Sequence, residues 1–170
     1  MNRQARRIMF VDRDGTIVKE PYDHQVDRLE KVEFVDGIVK ALQEALTAGF
    51  ELVMVSNQDG LGSQQFPQED FELCQDFILR NLKTQGIQFA EIRICPHLEE
   101  DHCACRKPGI GLIRDFLPQL DYSASFVVGD RLSDVELAQN MGIKGYQIGE
   151  TMSWSMIMKE ILFGTRKGSC

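Results

Sequence analysis

The chain has 170 residues, of which 43% are hydrophobic and 26% charged, and its formal net charge is -7. This length fits one domain, whose folding buries roughly 70% of the surface of the unfolded chain. The acidic balance argues against a nucleic-acid partner, because binding a phosphate backbone usually requires a basic face. No apolar run is long enough for a signal-peptide core or a membrane span. We therefore expect a cytoplasmic protein without a membrane partner, and the sequence carries no signal for an oligomeric state.

Short apolar runs alternate with amphipathic helical patterns along the chain. Five runs read as buried strands, the last one weakly: residues 8–11, 52–55, 92–94, 126–128 and 146–148. Between these runs, apolar residues recur at helical spacing in segments that end before Gly49, Gly86 and Gly142. A last such segment begins at Trp154. This alternation predicts the α/β class, with a single doubly wound parallel sheet of Rossmann-like type. We predict an N-terminal extension at residues 1–7, one domain at residues 8–163 and a flexible tail at residues 164–170.

Polar segments follow the predicted strands where parallel strands would bring them together. Asp12-Arg13-Asp14-Gly15-Thr16, Ser56-Asn57-Gln58 and Gly129-Asp130-Arg131 each come directly after an apolar run, and Arg106-Lys107-Pro108 lies in the loop after the third run. Ligands of such sheets bind outside the carboxyl ends of the strands. The four segments therefore predict one site at that edge.

The residue types in these segments suit transfer of a phosphoryl group. Asp12 is the candidate nucleophile, and Asp14 could act as general acid and then general base. A carboxylate and a phosphate need a cation between them, and oxygen ligands suit Mg²⁺, which Asp12 and Asp130 would share. The candidate phosphate-binding residues are Ser56, Asn57, Lys107 and Arg106.

Asp134 has two possible roles. It lies inside Ser133-Asp134-Val135-Glu136, which reads as a capping box with Ser133 as the N-cap of a helix. Its carboxylate could support the metal site from behind the ligands, or its charge could stabilise the helix start.

Four soft or borderline metal ligands lie within eleven residues: Cys95, His97, Cys103 and Cys105. This set suits tetrahedral Zn²⁺ and leaves no open position for catalysis, so we interpret it as a structural clasp on a polar loop. His102 could replace His97, and the alternatives to zinc are a redox pair of Cys103 and Cys105 or plain loop thiols.

Residues 19–33 form a polar, acidic segment, here called the flap, that should overhang the site because it follows a strand end. Its candidate substrate contacts are Glu20, Gln25 and Asp27, beside His24. If the flap contacts the substrate, its acidity favours a cationic leaving group.

Taken together, Asp12-x-Asp14-Gly15-Thr16, Ser56, Lys107 and Gly129-Asp130-x-x-x-Asp134 resemble the four motifs of haloacid dehalogenase-like phosphatases. The zinc loop narrows the resemblance to the branch with histidinol-phosphate and heptose-1,7-bisphosphate phosphatases. Within that branch, the flap and Ser56-Asn57-Gln58-Asp59-Gly60-Leu61-Gly62 are similar to the phosphatase domain of the bifunctional histidine-biosynthesis enzyme. The resemblance implies Mg²⁺-dependent hydrolysis of L-histidinol phosphate, with Asp12 as nucleophile, Asp14 as acid/base with its carbonyl on Mg²⁺, and Asp130 as metal ligand. The dehydratase domain of that enzyme has no counterpart in these 170 residues.

Three alternatives compete with this interpretation. Heptose bisphosphate is the second substrate, although only three basic residues lie in the flap: Lys19, Arg28 and Lys31. A receiver-type phosphoacceptor module would also carry acidic residues, a hydroxyl and a lysine on a doubly wound sheet. A zinc-clasped binding domain without catalysis is the third alternative.

Overall fold

The computed structural model describes residues 5–164, and within them the chain forms a five-stranded parallel sheet with four α-helices. The strands are β1 (Ile8–Val11), β2 (Glu51–Asn57), β3 (Glu91–Cys95), β4 (Phe126–Gly129) and β5 (Lys144–Gln147). The helices are α1 (Ile38–Thr47), α2 (Gln68–Thr84), α3 (Leu132–Met141) and α4 (Trp154–Phe163). The predicted fold class is thus confirmed. Residues 1–4 of the predicted extension and residues 165–170 of the predicted tail lie outside the described residues.

The strands are arranged in the order β3-β2-β1-β4-β5. The chain runs outward from β1 to β3 and then crosses to the other side of β1, where β4 and β5 follow. Such a reversal opens a crevice at the carboxyl ends of the two strands beside it, here β1 and β4. Receiver-type modules have the order 2-1-3-4-5. The receiver alternative is therefore wrong.

Side chains of β1 alternate between two cores, one on each face of the sheet. Met9 and Val11 pack into a core shared with α1, α2 and α4, whereas Ile8 and Phe10 pack into a second core with α3. All four side chains are fully buried, as expected of a central parallel strand.

The connection from β3 to β4 departs from the predicted alternation of strands and helices. Between Cys95 and Phe126 the structure has only short 3₁₀ turns, at Glu99–Asp101 and Leu117–Gln119. Ile113, Phe116 and Leu120 nevertheless cover the second face of the sheet. An irregular segment therefore takes the place of a helix between β3 and β4, and this segment includes the Cys/His loop.

Helix α4 supports the loop that follows β1. Trp154, which is fully buried, donates from Nε1 to the main-chain oxygen of Thr16 at 2.9 Å. This bond ties the Asp12–Thr16 turn to a helix far along the chain. Among residues 5–164, no helix combines the length and apolarity needed to cross a bilayer.

Candidate active site

The four predicted segments meet at the carboxyl edge of the sheet. They line a cavity of 580 Å³ together with residues of the flap. The predicted site residues on its wall are Asp12, Asp14, Ser56, Asn57, Lys107, Asp130, Glu20 and Gln25. The convergence follows from the parallel register, because β1, β2 and β4 end at the same edge.

Lys107 is the central cation of this site. Its Nζ lies 2.8 Å from Asp12 Oδ1 and 2.6 Å from Asp134 Oδ1, and it donates to the main-chain oxygen of Val55 at 2.8 Å. Burial lowers the pKa of Lys107, but the charges of Asp12 and Asp134 outweigh it and raise the pKa above its usual value. The ammonium therefore stays charged beside the candidate nucleophile.

Asp14 is almost enclosed beside the nucleophile. Gln58 Nε2 donates both to Asp14 Oδ2 at 2.7 Å and to Ser56 Oγ at 2.9 Å. Arg13 is fully buried, with Nε 3.6 Å from Asp14 Oδ1 and its guanidinium against the ring of Phe71. Burial raises the pKa of Asp14, opposed by Arg13 and Gln58. A raised pKa favours the protonated form that a general acid needs.

Gln58 also sets the direction of the Ser56 hydroxyl. Since Ser56 Oγ accepts from the Gln58 amide, its own hydrogen is free to be donated into the cavity. Ser56 is 1% exposed, so this donor has few rotamers. It is thus prepared to bind a phosphoryl oxygen.

Three carboxylates could hold a divalent cation. One oxygen from each of Asp12, Asp130 and Asp134 lies within 4.8 Å of the others. Asp130 Oδ1 is buried without a hydrogen-bond partner among the described residues, as expected of an oxygen whose partner is a metal ion. Burial and the charges of Asp12 and Asp134 raise the pKa of Asp130 to about 7. The all-oxygen donor set and its excess negative charge fit Mg²⁺.

The oxygens of Asp134 are already engaged, which distinguishes it from Asp12 and Asp130. Oδ1 binds Lys107, and Oδ2 accepts from the main-chain N–H of Arg131 at 3.1 Å. The predicted capping box is therefore wrong: α3 begins at Leu132, its N-cap is Arg131, and Asp134 reaches back to it in place of Glu136. The contact with Arg131 places Asp134 at the helix start, as predicted, and its pairing with Lys107 keeps it beside Asp12, where support of a metal site stays a prediction.

The stability of the metal-free protein should fall as the pH rises through the raised pKa of Asp130. The folded state holds this proton more tightly than the unfolded chain does, so its contribution is complete below about pH 4 and lost through about pH 7. A bound Mg²⁺ would compensate the charge left by the lost proton. We expect saturating Mg²⁺ to raise Tm by roughly 5–10 °C at pH 8 and far less at pH 5.5.

Thermal unfolding at both pH values, with and without Mg²⁺, measures this difference. Asp130→Asn should lose most of the Mg²⁺-dependent increase, while Asp76→Asn on the exposed side of α2 should keep it. An equal Tm increase at the two pH values would contradict the expected proton competition.

Gly15 allows the loop after β1 to pass close to Asp130. It has φ +74°, and a Cβ there would lie 2.2 Å from Asp130 Oδ2. Gly86 has the similar φ of +76° but nothing within 4 Å of its Cβ position. Gly15→Ala and Gly86→Ala should therefore share the strain of the left-handed conformation, about 1 kcal/mol or more. Only Gly15→Ala should also displace Asp130 and lower kcat/KM, by about 100-fold or more.

Stability and phosphate release measured for both variants separate the two effects. Equal activity losses in Gly15→Ala and Gly86→Ala would show that backbone strain alone, and not the close approach to Asp130, makes glycine necessary at position 15.

The side chains of Asn57 and Arg106, both predicted to bind phosphate, are hydrogen-bonded to other protein groups. Asn57 exchanges hydrogen bonds with the backbone of Lys107: its Oδ1 accepts from Lys107 N at 3.0 Å, and its Nδ2 donates to the Lys107 carbonyl at 3.2 Å. The Arg106 guanidinium pairs with Asp59 and donates to the carbonyl of His97. Asn57 thus positions Lys107, and Arg106 joins the Cys/His loop to the loop after β2.

The predicted zinc ligands come together at the end of β3. Nδ1 of His97 and the Sγ atoms of Cys95, Cys103 and Cys105 lie within 4.8 Å of one another, with sulfur–sulfur distances of 3.3–3.6 Å. Tetrahedral zinc with bonds of about 2.3 Å would hold sulfurs about 3.8 Å apart. His102 does not belong to the group. The four donors therefore fit structural zinc.

The local electrostatics also favour a thiolate. Burial opposes ionisation of Cys103, but hydrogen bonds from the Cys105 thiol and the Arg106 main chain outweigh it and lower its pKa to about 7. A thiolate is the form that binds metal.

Cys103→Ser should remove zinc and destabilise the fold by about 3 kcal/mol or more, because metal binding and loop folding are coupled. His102→Asn is the matched control, since Asn tolerates the left-handed conformation of His102, with φ 47°. Metal analysis should find zinc in the wild type and in His102→Asn but not in Cys103→Ser. Unchanged melting of Cys103→Ser would contradict the structural clasp.

The flap places some of its predicted contacts at the cavity and not others. Glu20, His24 and Gln25 lie on the cavity wall, whereas Asp27 does not. Asp27 is paired with Lys31 at 2.7 Å and with Arg28 at 3.2 Å. Lys31 and Arg28 outweigh the effect of burial and lower the pKa of Asp27. Its charge is therefore compensated within the flap.

Two residues with polar roles at the site were not among the predicted ones. Gln58 follows the predicted Asn57, and Arg131 follows the predicted metal ligand Asp130. Both line the cavity. Their positions next to predicted site residues in the sequence could have pointed to them.

Residues 7–150 match the protein family described as polynucleotide kinase 3 phosphatase. The chain belongs to this family. It is also similar to curated proteins named histidine biosynthesis bifunctional protein HisB: 46% identical over 166 residues in Legionella pneumophila strain Lens, and 45% over 168 residues in Campylobacter jejuni strain 81-176. These alignments cover 96% and 97% of this chain and 47% of each relative. The chain thus spans about half the length of the curated relatives it matches.

Solved structures share the fold. D,D-heptose 1,7-bisphosphate phosphatase from B. bronchiseptica, complexed with magnesium and phosphate, has a TM-score of 0.80 and 23% identity, over 94% of this chain and 99% of its own. A Had-superfamily hydrolase from Ehrlichia chaffeensis has a TM-score of 0.62 and 14% identity, over 95% and 98%. The fold is that of the haloacid dehalogenase-like phosphatases.

Proposed function

We propose that the protein hydrolyses L-histidinol phosphate to L-histidinol and phosphate through an aspartyl-phosphate on Asp12, with Mg²⁺ bound. The observation that carries the chemistry is the placement of Asp12, Asp14 and Lys107 in one cavity, with Lys107 2.8 Å from Asp12. The similarity to HisB proteins across 96% of the chain supports the substrate.

In the first step, a carboxylate oxygen of Asp12 forms a bond to phosphorus while the bond from phosphorus to the ester oxygen breaks. Asp14 gives its proton to the departing oxygen, so that the alcohol leaves neutral at that atom. Lys107 and the Ser56 hydroxyl stabilise the charge on the phosphoryl oxygens. Gln58 holds the Asp14 carboxyl in place during this transfer.

In the second step, Asp14 removes a proton from a water molecule, whose oxygen attacks phosphorus. The bond between phosphorus and Asp12 breaks, which releases phosphate and regenerates both carboxyl groups. Burial raises the pKa of Asp14, so the same group is able to give and take the proton.

Asp12 and Asp130 would hold the Mg²⁺, with Asp134 behind them and, by resemblance, the main-chain carbonyl of Asp14. The ion supplies charge neutralisation between the nucleophile and the phosphate. Cys95, His97, Cys103 and Cys105 would hold Zn²⁺, which fixes the loop that presents Lys107.

Heptose bisphosphate is the second candidate substrate, because the solved heptose bisphosphate phosphatase has the same fold. A second phosphate would need uncommitted basic residues, but Lys31, Arg28 and Lys19 are each paired with flap carboxylates. The family description names a polynucleotide substrate, which a net charge of -7 disfavours. A small amino-acid precursor also suits the cytoplasmic location expected from the sequence.

Phosphate release with Mg²⁺ present, measured side by side on three substrates, tests the proposal: L-histidinol phosphate, heptose-1,7-bisphosphate and an aryl phosphate. We expect kcat/KM to favour histidinol phosphate by orders of magnitude. Turnover of the aryl phosphate alone would support the phosphatase chemistry but contradict histidinol phosphate as the substrate. No turnover by a metal-loaded sample would refute both.

A further inference from the structure

An ion pair joins the flap to the start of α3 at the cavity wall. Arg131 Nη2, at the start of α3, binds Glu20 Oε1 in the flap, 111 residues away in the chain. The Arg131 side chain is 50% exposed, and that of Glu20 is 20% exposed. Both residues line the cavity that contains Asp12, Ser56 and Lys107. The two charges thus lie within reach of a bound substrate.

Glu20 differs from Asp23 and Asp27 of the flap because its basic partner lies outside the flap. Asp23 and Asp27 are both paired with Lys31, which belongs to the flap itself. Glu20 is paired with Arg131 at the start of α3, outside the flap, and His24 Nδ1 lies 3.1 Å from its other oxygen. Of the two flap acids that line the cavity, Glu20 and Asp23, only Glu20 is held by a residue outside the flap, next to the predicted metal ligand Asp130.

We infer that Glu20 and Arg131 are a specificity pair that exchanges partners with a substrate carrying an anion and a cation. The phosphate of the substrate binds the Arg131 guanidinium. An ammonium group on the leaving alcohol then replaces Arg131 as the partner of Glu20. This inference rests on the proposed phosphatase function and narrows its substrate class to phosphate esters of amino alcohols.

The exchange explains why a cation on the substrate matters. A guanidinium binds phosphate through two parallel hydrogen bonds, and half of the Arg131 side chain is exposed, so it can turn from Glu20 to a phosphate. A substrate without a cation can recruit Arg131 only by leaving the partly buried Glu20 carboxylate with His24 alone among the described residues, and losing its charged partner there is unfavourable. The zwitterionic substrate restores both pairings.

The test compares 3-aminopropyl phosphate with butyl phosphate, which differ by an ammonium in place of a methyl group, alongside L-histidinol phosphate. The variants are Glu20→Gln, Arg131→Gln and the double variant. The control is Glu33→Gln, which changes an exposed flap acid paired with Lys19, away from the cavity wall. kcat and KM for phosphate release are measured for every pair of enzyme and substrate.

We expect Glu20→Gln to lower kcat/KM for both ammonium-bearing substrates by at least about tenfold, mainly through KM. The same variant should raise kcat/KM for butyl phosphate, because it frees Arg131. That gain should vanish in the double variant, and Glu33→Gln should behave as the wild type.

Equal losses on aminopropyl and butyl phosphate in Glu20→Gln would overturn the exchange, as would a gain on butyl phosphate that persists without Arg131. If the wild type hydrolyses aminopropyl and butyl phosphate but not histidinol phosphate, the proposed substrate is wrong. The two alkyl phosphates then still test the exchange of partners. No turnover of any of the three substrates would overturn both.

Discussion

Replacing Asp12 with Asn should abolish phosphate release, with kcat falling by more than about 10⁴-fold. An amide is a poor nucleophile, and a neutral group at this position also loses its pairing with Lys107. The substitution keeps the size of the side chain, so the packing around this buried residue should not change. The measurement is phosphate release under single-turnover conditions, accompanied by thermal unfolding to confirm the fold.

Asp14→Asn separates the two carboxylates by role. An aryl leaving group needs no proton, so this variant should still release about one equivalent of aryl alcohol per enzyme and then stall with phosphate on Asp12. Asp12→Asn should give no such burst. Asp76→Asn, an exposed acid on α2, is the control for loss of a surface charge. A binding domain without catalysis would show no difference among the three variants, whereas residual turnover in Asp12→Asn would rule out Asp12 as the nucleophile.

The position of the site could be predicted because it depends on strand ends. Asp12, Ser56 and Asp130 follow β1, β2 and β4, and parallel strands carry whatever follows them to one edge. The Cys/His cluster was equally predictable, since its four ligands lie within one loop and their spacing alone allows a tetrahedron.

The partners of the charged side chains could not be predicted in the same way. Arg106 was expected at the phosphate, but Asp59 in a neighbouring loop binds it instead. Glu20 and Arg131 meet because the path of the flap brings Glu20 to the cavity that Arg131 also lines. Long charged side chains reach across loops, and the loop paths that decide their partners leave no periodic pattern in the sequence.

The helix start at α3 shows the same limit on a smaller scale. Ser133 and Glu136 satisfy the capping pattern, yet Asp134 takes the reach-back role because Lys107 holds its carboxylate at the sheet edge. Gly129 permits this approach: a Cβ there would lie 2.0 Å from the Asp134 carboxyl. A tertiary ion pair therefore overrode a local preference.

Lys107→Met should have the second large effect, on both activity and stability. The methionine fills a similar volume but leaves Asp12 and Asp134 buried without their cation. We expect kcat to fall by about 100-fold or more, and the metal-free protein to lose roughly 3–5 kcal/mol of its unfolding free energy at pH 8.

The pH dependence of this loss identifies its cause. Burial and the charge of Asp12 already raise the pKa of Asp134 to about 6 beside Lys107, and without the lysine it would rise further. Protonation then removes the uncompensated charge, so the stability difference from the wild type should shrink as the pH falls from 8 to 5. Lys40→Met, an exposed lysine whose nearest acid is Glu44 at 3.8 Å, should change neither stability nor its pH dependence. Denaturant unfolding at the two pH values measures both variants. A Lys107→Met loss that is equal at pH 5 and pH 8 would mean that packing, and not the buried carboxylates, makes the lysine necessary.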